Sequence, residues 1–180
     1  MTAASSAMVT DSNFVRNDSL YGGALVMEMR ASASAQIQNC DFLYNFAETS
    51  GGAFGVTLFS DANLAFSSCE FLHNTASTGP CRFDTCEGGA MSLFTSNMDT
   101  VVEDCVISNN TAFEAGGGIA SRGRGGLALT RSLFDSNKVV ETGSSDHIVT
   151  DGDITTCDDT NFVNPDFSSG VDITGSSACS

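Results

Sequence analysis

The chain has 180 residues, 41% of them hydrophobic, which excludes wholesale disorder and allows one domain with a buried core. Its 7 Lys+Arg against 22 Asp+Glu leave a formal charge of −15, so nucleic acid and anionic membrane surfaces are excluded as partners by repulsion. The longest apolar stretch, ALVM at 24–27, is too short for a transmembrane segment or the core of a secretory signal, and MTAASSAMVT at 1–10 lacks a signal's positive start.

With 18 Gly, 2 Pro, no Trp and many Ser, Asn, Asp and Thr, the chain is expected to form short strands joined by tight turns, with little helix. The strands recur in copies. Taken in chain order, Phe-x-x-Asn or its equivalent appears as Phe14 with Asn17, Phe42 with Asn45, Phe71 with Asn74, Ile107 with Asn110 and Phe134 with Asn137. The asparagines are 28, 29, 36 and 27 residues apart, so the third interval holds an insertion.

Two residues before each Phe or Ile stands a small, weakly polar residue: Ser12, Cys40, Cys69, Cys105 or Ser132. Earlier still come the apolar pairs Ala7 and Val9, Ala35 and Ile37, Leu64 and Phe66, Thr100 and Val102, and Leu127 and Leu129. This period-2 pattern, slipped by one residue before the Phe, reads as strands meeting at a bend, with three short strand signals in each copy. Gly-Gly follows in Gly22-Gly23-Ala24, Gly51-Gly52-Ala53, Gly88-Gly89-Ala90 and Gly117-Gly118-Ile119, where it is expected to supply corners with positive φ.

A unit of this size cannot bury its apolar face alone and must stack on copies of itself. The expected fold is all-β: a single-stranded, right-handed parallel β-helix of five to six coils, each about 4.8 Å above the last. Like residues then stack on like. Asn17, Asn45, Asn74, Asn110 and Asn137 should form an amide ladder, and the phenylalanines an internal column. One domain spans 1–180, with repeats over about 7–150 and a capping segment over about 151–180. Its first inward pair, Ala7 and Val9, comes so early that a processed product or excised portion of a longer polypeptide is expected.

CDFLYNFAETSGGAF and CVISNNTAFEAGGGI resemble the FxxN and GGAI repeats of chlamydial polymorphic outer-membrane proteins, and more broadly the right-handed parallel β-helix repeat proteins. The tail NFVNPDFSSGVDITGSSAC is similar to the closing element of many β-helix proteins. The resemblance implies the fold. It leaves adhesins, surface passengers, polysaccharide lyases and hydrolases as kinds of member.

Cys40, Cys69 and Cys105 occupy one repeat position and should point inward in parallel, as a ladder of free thiols rather than a disulfide or metal site. Cys81 and Cys86 lie within the insertion and are expected to close it with a disulfide. The loop would then project Arg82, Phe83 and Asp84 as a recognition element, or stand as a neutral surface insertion. Cys157 and Cys179 could staple the end cap. Two disulfides would imply an oxidising compartment: extracellular, cell surface or another oxidising lumen.

Asp151 and Asp153, with Asp158 and Asp159, lie close enough for calcium or a catalytic carboxylate pair, but the EF-hand spacing is missing and the preferred reading is solvated acids on a turn; no cofactor is expected, with calcium as the alternative. Arg122, Arg124 and Arg131 read as charges balancing an acidic surface, and SRGRGG lacks the ending of a phosphate-binding loop. His73 should face outward, and His147 lies in an irregular segment. Of the sequons at Asn17 and Asn109, only Asn109 should be free to carry a glycan. The expectation is a non-enzymatic secreted or surface module that binds a protein partner as an adhesin-like segment or accessory subunit. The alternatives are a polysaccharide lyase or hydrolase and a calcium- or glycan-binding domain.

Overall fold

A computed structural model describes residues 5–30, 32–59, 61–81, 85–97, 99–141, 147–152, 154–163 and the backbone of Ile173–Thr174. The chain winds into a right-handed parallel β-helix of about five coils. Each of the first five coils contributes a strand to four sheets, one more than the strand signals in the sequence suggested. Sheet A runs through Ser6–Thr10, Ser34–Gln38, Asn63–Ser67, Thr100–Glu103, Leu127–Thr130 and Ile154–Asp158. Sheet B runs through Asn13–Val15, Asp41–Leu43, Glu70–Leu72, Val106–Ser108, Leu133–Asp135 and Asn161–Val163.

Sheet C is built from two-residue strands: Asp18–Ser19, Phe46–Ala47, Thr75–Ala76, Thr111–Ala112 and Lys138–Val139. These are too short to show a period in the sequence, which is why sheet C was not anticipated. Sheet D holds Leu25–Met29, Phe54–Leu58, Met91–Thr95, Ile119–Gly123, Ile148–Thr150 and Ile173–Thr174. Sheet B continues in register to Val163, and sheet A continues to Asp158 with a shift of one residue between Leu127 and Ala128.

The inward rows are those the alternation requires. Phe14, Phe42, Phe71, Ile107, Phe134 and Phe162 align across sheet B. Their rings stack: Phe14 on Phe42 at 4.7 Å and Phe42 on Phe71 at 4.6 Å, with planes 5° and 1° apart. That spacing is the strand separation itself, about 4.8 Å, so identical aromatics in register stack face to face with lateral offset. Phe54 and Phe66 meet edge-on at 5.0 Å within an interior otherwise filled by aliphatic side chains such as Ile37, Leu64, Leu93 and Leu129.

The asparagine column lies at the corner from sheet B to sheet C. Asn74 is fully buried; its backbone N–H and its Nδ2 both donate to Asn110 Oδ1, at 2.9 and 3.0 Å, and Nδ2 also donates to Phe42 O at 2.8 Å. Asn45 and Asn110 repeat the pattern toward Asn74 and Asn137, and Asn17 donates to Asn45 Oδ1 from the exposed first coil. The residue before each asparagine has a left-handed backbone: Arg16 (φ 55), Tyr44 (57), His73 (57), Asn109 (56) and Ser136 (52). A non-glycine residue in this region is uncommon, and here the buried amide bonds hold it there.

At the other corner, from sheet A to sheet B, Asp11, Asn39, Ser68, Asp104, Arg131 and Asp159 are likewise left-handed. The next residue bridges each turn. Ser12 Oγ donates to Thr10 O, Cys40 Sγ to Gln38 O, Cys69 Sγ to Ser67 O, Cys105 Sγ to Glu103 O, Ser132 Oγ to Thr130 O and Thr160 Oγ1 to Asp158 O. Serine, threonine and cysteine interchange here because the site calls for a small side chain with one donor. The three thiols are free and buried. Burial holds the Cys40 thiol above its usual range, and the Cys69 thiol together with burial does the same for Cys105.

The glycine corners need one correction. Gly22, Gly51 and Gly88 have positive φ, but in the next coil that residue is Gly116. Met91 pairs with Ile119, and Ala90 N donates to Gly118 O, so Gly116-Gly117-Gly118 stands opposite Gly88-Gly89-Ala90. The alignment of Gly117-Gly118-Ile119 with the earlier Gly-Gly-Ala copies is therefore displaced by one residue. Three consecutive glycines made the register ambiguous in sequence.

Candidate functional site

The insertion leaves the solenoid after Thr75–Ala76 and returns at Cys86, where Glu114 N donates to Cys86 O at 3.0 Å and the coil resumes. Cys81 and Cys86 are joined by a disulfide, with Cα atoms 5.7 Å apart. Arg82, Phe83 and Asp84, named above as a recognition element, lie outside the described residues. So do Asp153 and Cys179, whereas Cys157 is disulfide-bonded. Alkylation of the denatured, unreduced protein is expected to label Cys40, Cys69 and Cys105 but not Cys81, Cys86 or Cys157. Peptide mass mapping would read this directly.

The returning segment forms one wall of a groove of about 250 Å³ on the outer face of sheet D, lined by residues that include Tyr21, Ser50, Glu87, Ser92, Phe94 and Arg122. The Tyr21 ring lies over Gly55, where an added Cβ would fall 2.4 Å from a ring carbon. Phe94 is 52% exposed, and Phe59 on the same face is 40% exposed with the Arg30 guanidinium 5.1 Å from its ring centre. The groove is thus lined by the rings of Tyr21 and Phe94 and by one arginine, and both Arg122 and Arg30 are paired with acids, Arg122 with Glu87 and Asp151 and Arg30 with Glu28.

Arg122 is the centre of this site. Its Nε donates to Glu87 Oε2 at 2.8 Å, NH2 to Glu87 Oε1, and NH1 to Asp151 Oδ1 at 2.7 Å. Glu87 is buried, and the fork of donors matches its carboxylate as a bidentate pair. Hydrogen bonding to Glu87, opposed by desolvation and aided by Asp151, raises the Arg122 pKa and keeps the guanidinium charged. The arginines therefore differ in role. Arg131 pairs with Glu103 and Asp104 on the open surface, as a charge-balancing residue would, and holds the Asp104 carboxyl below its usual range. Arg122 instead neutralises a buried acid.

This arrangement bears on the calcium reading. The Asp151 carboxylate already accepts from Arg122 and lies 3.4 Å from the Gly123 backbone nitrogen, so a cation there would have to displace or face the guanidinium. Replacing Arg122 by Met is expected to cost about 2 kcal/mol, below the range for a fully buried pair because its side chain is 31% exposed. Thermal melts of the variant and of Glu87→Gln/Arg122→Met would test this, since the double variant should recover part of the loss.

Two positions lie elsewhere. His73 is exposed and stacks on Tyr44 at 4.9 Å. Asn109 is also exposed; its Nδ2 donates to Ser108 Oγ, and it lines a polar groove of about 320 Å³ with His73, Thr75, Thr111, Ser136 and Lys138. His147 lies at a bend just before Ile148–Thr150, in the irregular segment expected for it, and is fully buried, with its Nδ1 3.1 Å from Asn137 Nδ2 at the end of the described ladder. No described helix is long and apolar enough to cross a membrane.

No curated protein and no solved structure matches the chain. A family match, described as Right handed beta helix region, covers residues 2–164 and agrees with the coils, the parallel register and the stacked inward rows. The chain accordingly belongs to the right-handed β-helix family.

Proposed function

We propose that the protein is a non-catalytic interaction module that binds a protein partner on the outer face of sheet D, beside the Cys81–Cys86 loop. The observation that carries this reading is a groove that places the half-buried Tyr21 ring, the exposed Phe94 ring and the Arg122 guanidinium side by side. Aromatic and arginine side chains are enriched at protein interfaces and dominate their binding energy. The solenoid supplies a rigid base, so little ordering is lost on binding. In this reading the module serves as an adhesin-like segment or an accessory subunit of a larger assembly. The disulfide supports maturation outside the cell, at its surface or in another oxidising lumen.

The polysaccharide-enzyme reading has less support. A hydrolase uses two carboxylates that act on one bond; of the aspartates named for it, Asp151 is held by Arg122, Asp153 lies outside the described residues, and Asp158 and Asp159 are exposed. A glycan on Asn109 would emerge from the corner between sheets B and C.

The test is site-specific photo-crosslinking in the native source, with the probe at Phe94 and a control probe at Met8, which is exposed on sheet A. A protein of defined mass crosslinked from position 94 but not from position 8 is the expected result. Equal labelling from both positions would overturn the assignment of this face. Release of reducing or unsaturated ends from acidic polysaccharides, abolished by Asp151→Asn or Asp153→Asn, would replace the whole reading with an enzymatic one.

A further inference from the structure

The disulfide sits beside a third group with ligand chemistry. The Sγ atoms of Cys81 and Cys86 and a carboxylate oxygen of Glu114 all lie within 4.8 Å of one another. Glu114 belongs to the next coil and is already turned toward the loop, because its Oε2 accepts the Cys86 backbone N–H at 3.2 Å. Cys86 is fully buried, and Cys81 and Glu114 are half-buried. In the oxidised protein the sulfurs are bonded to each other and are not ligands. Reduction converts them into two donors that face a carboxylate.

The geometry points to a redox-gated metal site: once the disulfide is reduced, Cys81, Cys86 and Glu114 bind a thiophilic divalent cation of the zinc class. The reduction is a two-electron exchange in which a dithiol gives up two hydrogens to the Cys81–Cys86 bond and leaves as its own disulfide. Binding then releases the two thiol protons to solvent as the thiolates coordinate the cation. Two thiolates and one carboxylate suit zinc and disfavour calcium or magnesium, which take oxygen ligands. Three protein ligands leave the fourth tetrahedral position for water or another donor.

The consequence is structural. The disulfide closes the loop only upon itself, five residues apart in sequence. A metal held also by Glu114 ties the loop to the following coil. Thr85 and Glu87, on either side of Cys86, line the groove on sheet D, so the exchange would alter how firmly that wall is held. The inference does not depend on what the groove binds.

Cobalt is the probe, because thiolate-to-cobalt charge-transfer absorption reports sulfur ligation. The full chain, reduced anaerobically with a phosphine, is expected to bind cobalt with that absorption and to lose it when zinc is added, whereas the oxidised chain shows none. Cys81→Ser keeps the buried thiols Cys40, Cys69 and Cys105 and should abolish the signal. Glu114→Ala should weaken affinity by about tenfold. If that variant does not fold, Glu114→Gln retains an acceptor for the Cys86 N–H while removing the charge, and gives the same comparison. The proposal is overturned if reduced wild type and Cys81→Ser give the same absorption, or if a folded Glu114 variant binds as tightly as wild type.

Discussion

Replacing Asn110 by Ala is expected to lower the free energy of unfolding by about 4 kcal/mol, as several buried groups lose partners that each contribute about 1–3 kcal/mol. Asn110 Oδ1 accepts from both the N–H and the Nδ2 of Asn74, and its own Nδ2 donates to Phe71 O and Asn137 Oδ1. Both Asn74 and Asn110 are fully buried, so water cannot substitute without opening the coil. The same change at Asn17 is expected to cost about 1 kcal/mol, since that residue is exposed and donates to Asn45 alone. Urea denaturation of the two variants gives the comparison. Equal losses at both positions would mean that the ladder contributes through local turn geometry rather than through buried amide bonding between coils.

Gly52→Ala is expected to cost about 3 kcal/mol or more, at the upper end of overpacking effects. Gly52 is buried between coils, and a Cβ there would lie 2.0 Å from Gly89 O and 2.6 Å from the Thr75 backbone. These are main-chain atoms of the next coil, so no side-chain rotation relieves the contact and the coils themselves would have to separate. Gly79, in the insertion, has nothing within 4 Å of its Cβ position. Gly79→Ala should therefore leave the denaturation midpoint nearly unchanged. A Gly52→Ala variant as stable as wild type would show that adjacent coils can move apart without loss.

Most of the fold was legible because the chain states it several times. One Phe-x-x-Asn is weak evidence of anything, but copies at nearly constant spacing select a stacked solution in which each coil satisfies its neighbour. Stacking also made the insertion visible, since only one interval departs from the others. The errors arose where repetition failed to constrain the register. The glycines at 116–118 allowed a shift of one residue, and the two-residue strands of sheet C carry no period.

The groove was not legible at all. Glu87, Arg122 and Asp151 are separated by 35 and 29 residues and belong to no recurrent phrase. One signal was present: with sheet D in register, Arg122 stands one coil below Asp151, so opposite charges recur at the coil spacing. Glu87 was hidden by the insertion before it. The interchange of Ser and Cys before sheet B was likewise visible as a pattern, and the structure added Thr160 to it. Its cause, a donor bridging a left-handed corner, emerged only from the hydrogen bonds.

The sequence by itself determined the architecture: the coil length, the inward rows, the amide ladder and the disulfide-closed insertion. Each of these follows from local spacing repeated along the chain. The tertiary structure decided which residues of different coils share a surface. It placed a buried glutamate against Arg122, turned Glu114 toward a disulfide and gathered Tyr21 and Phe94 on one face. Those contacts depend on how about five coils are superposed, and a shift of one residue in a strand would send every side chain to the opposite side of the wall.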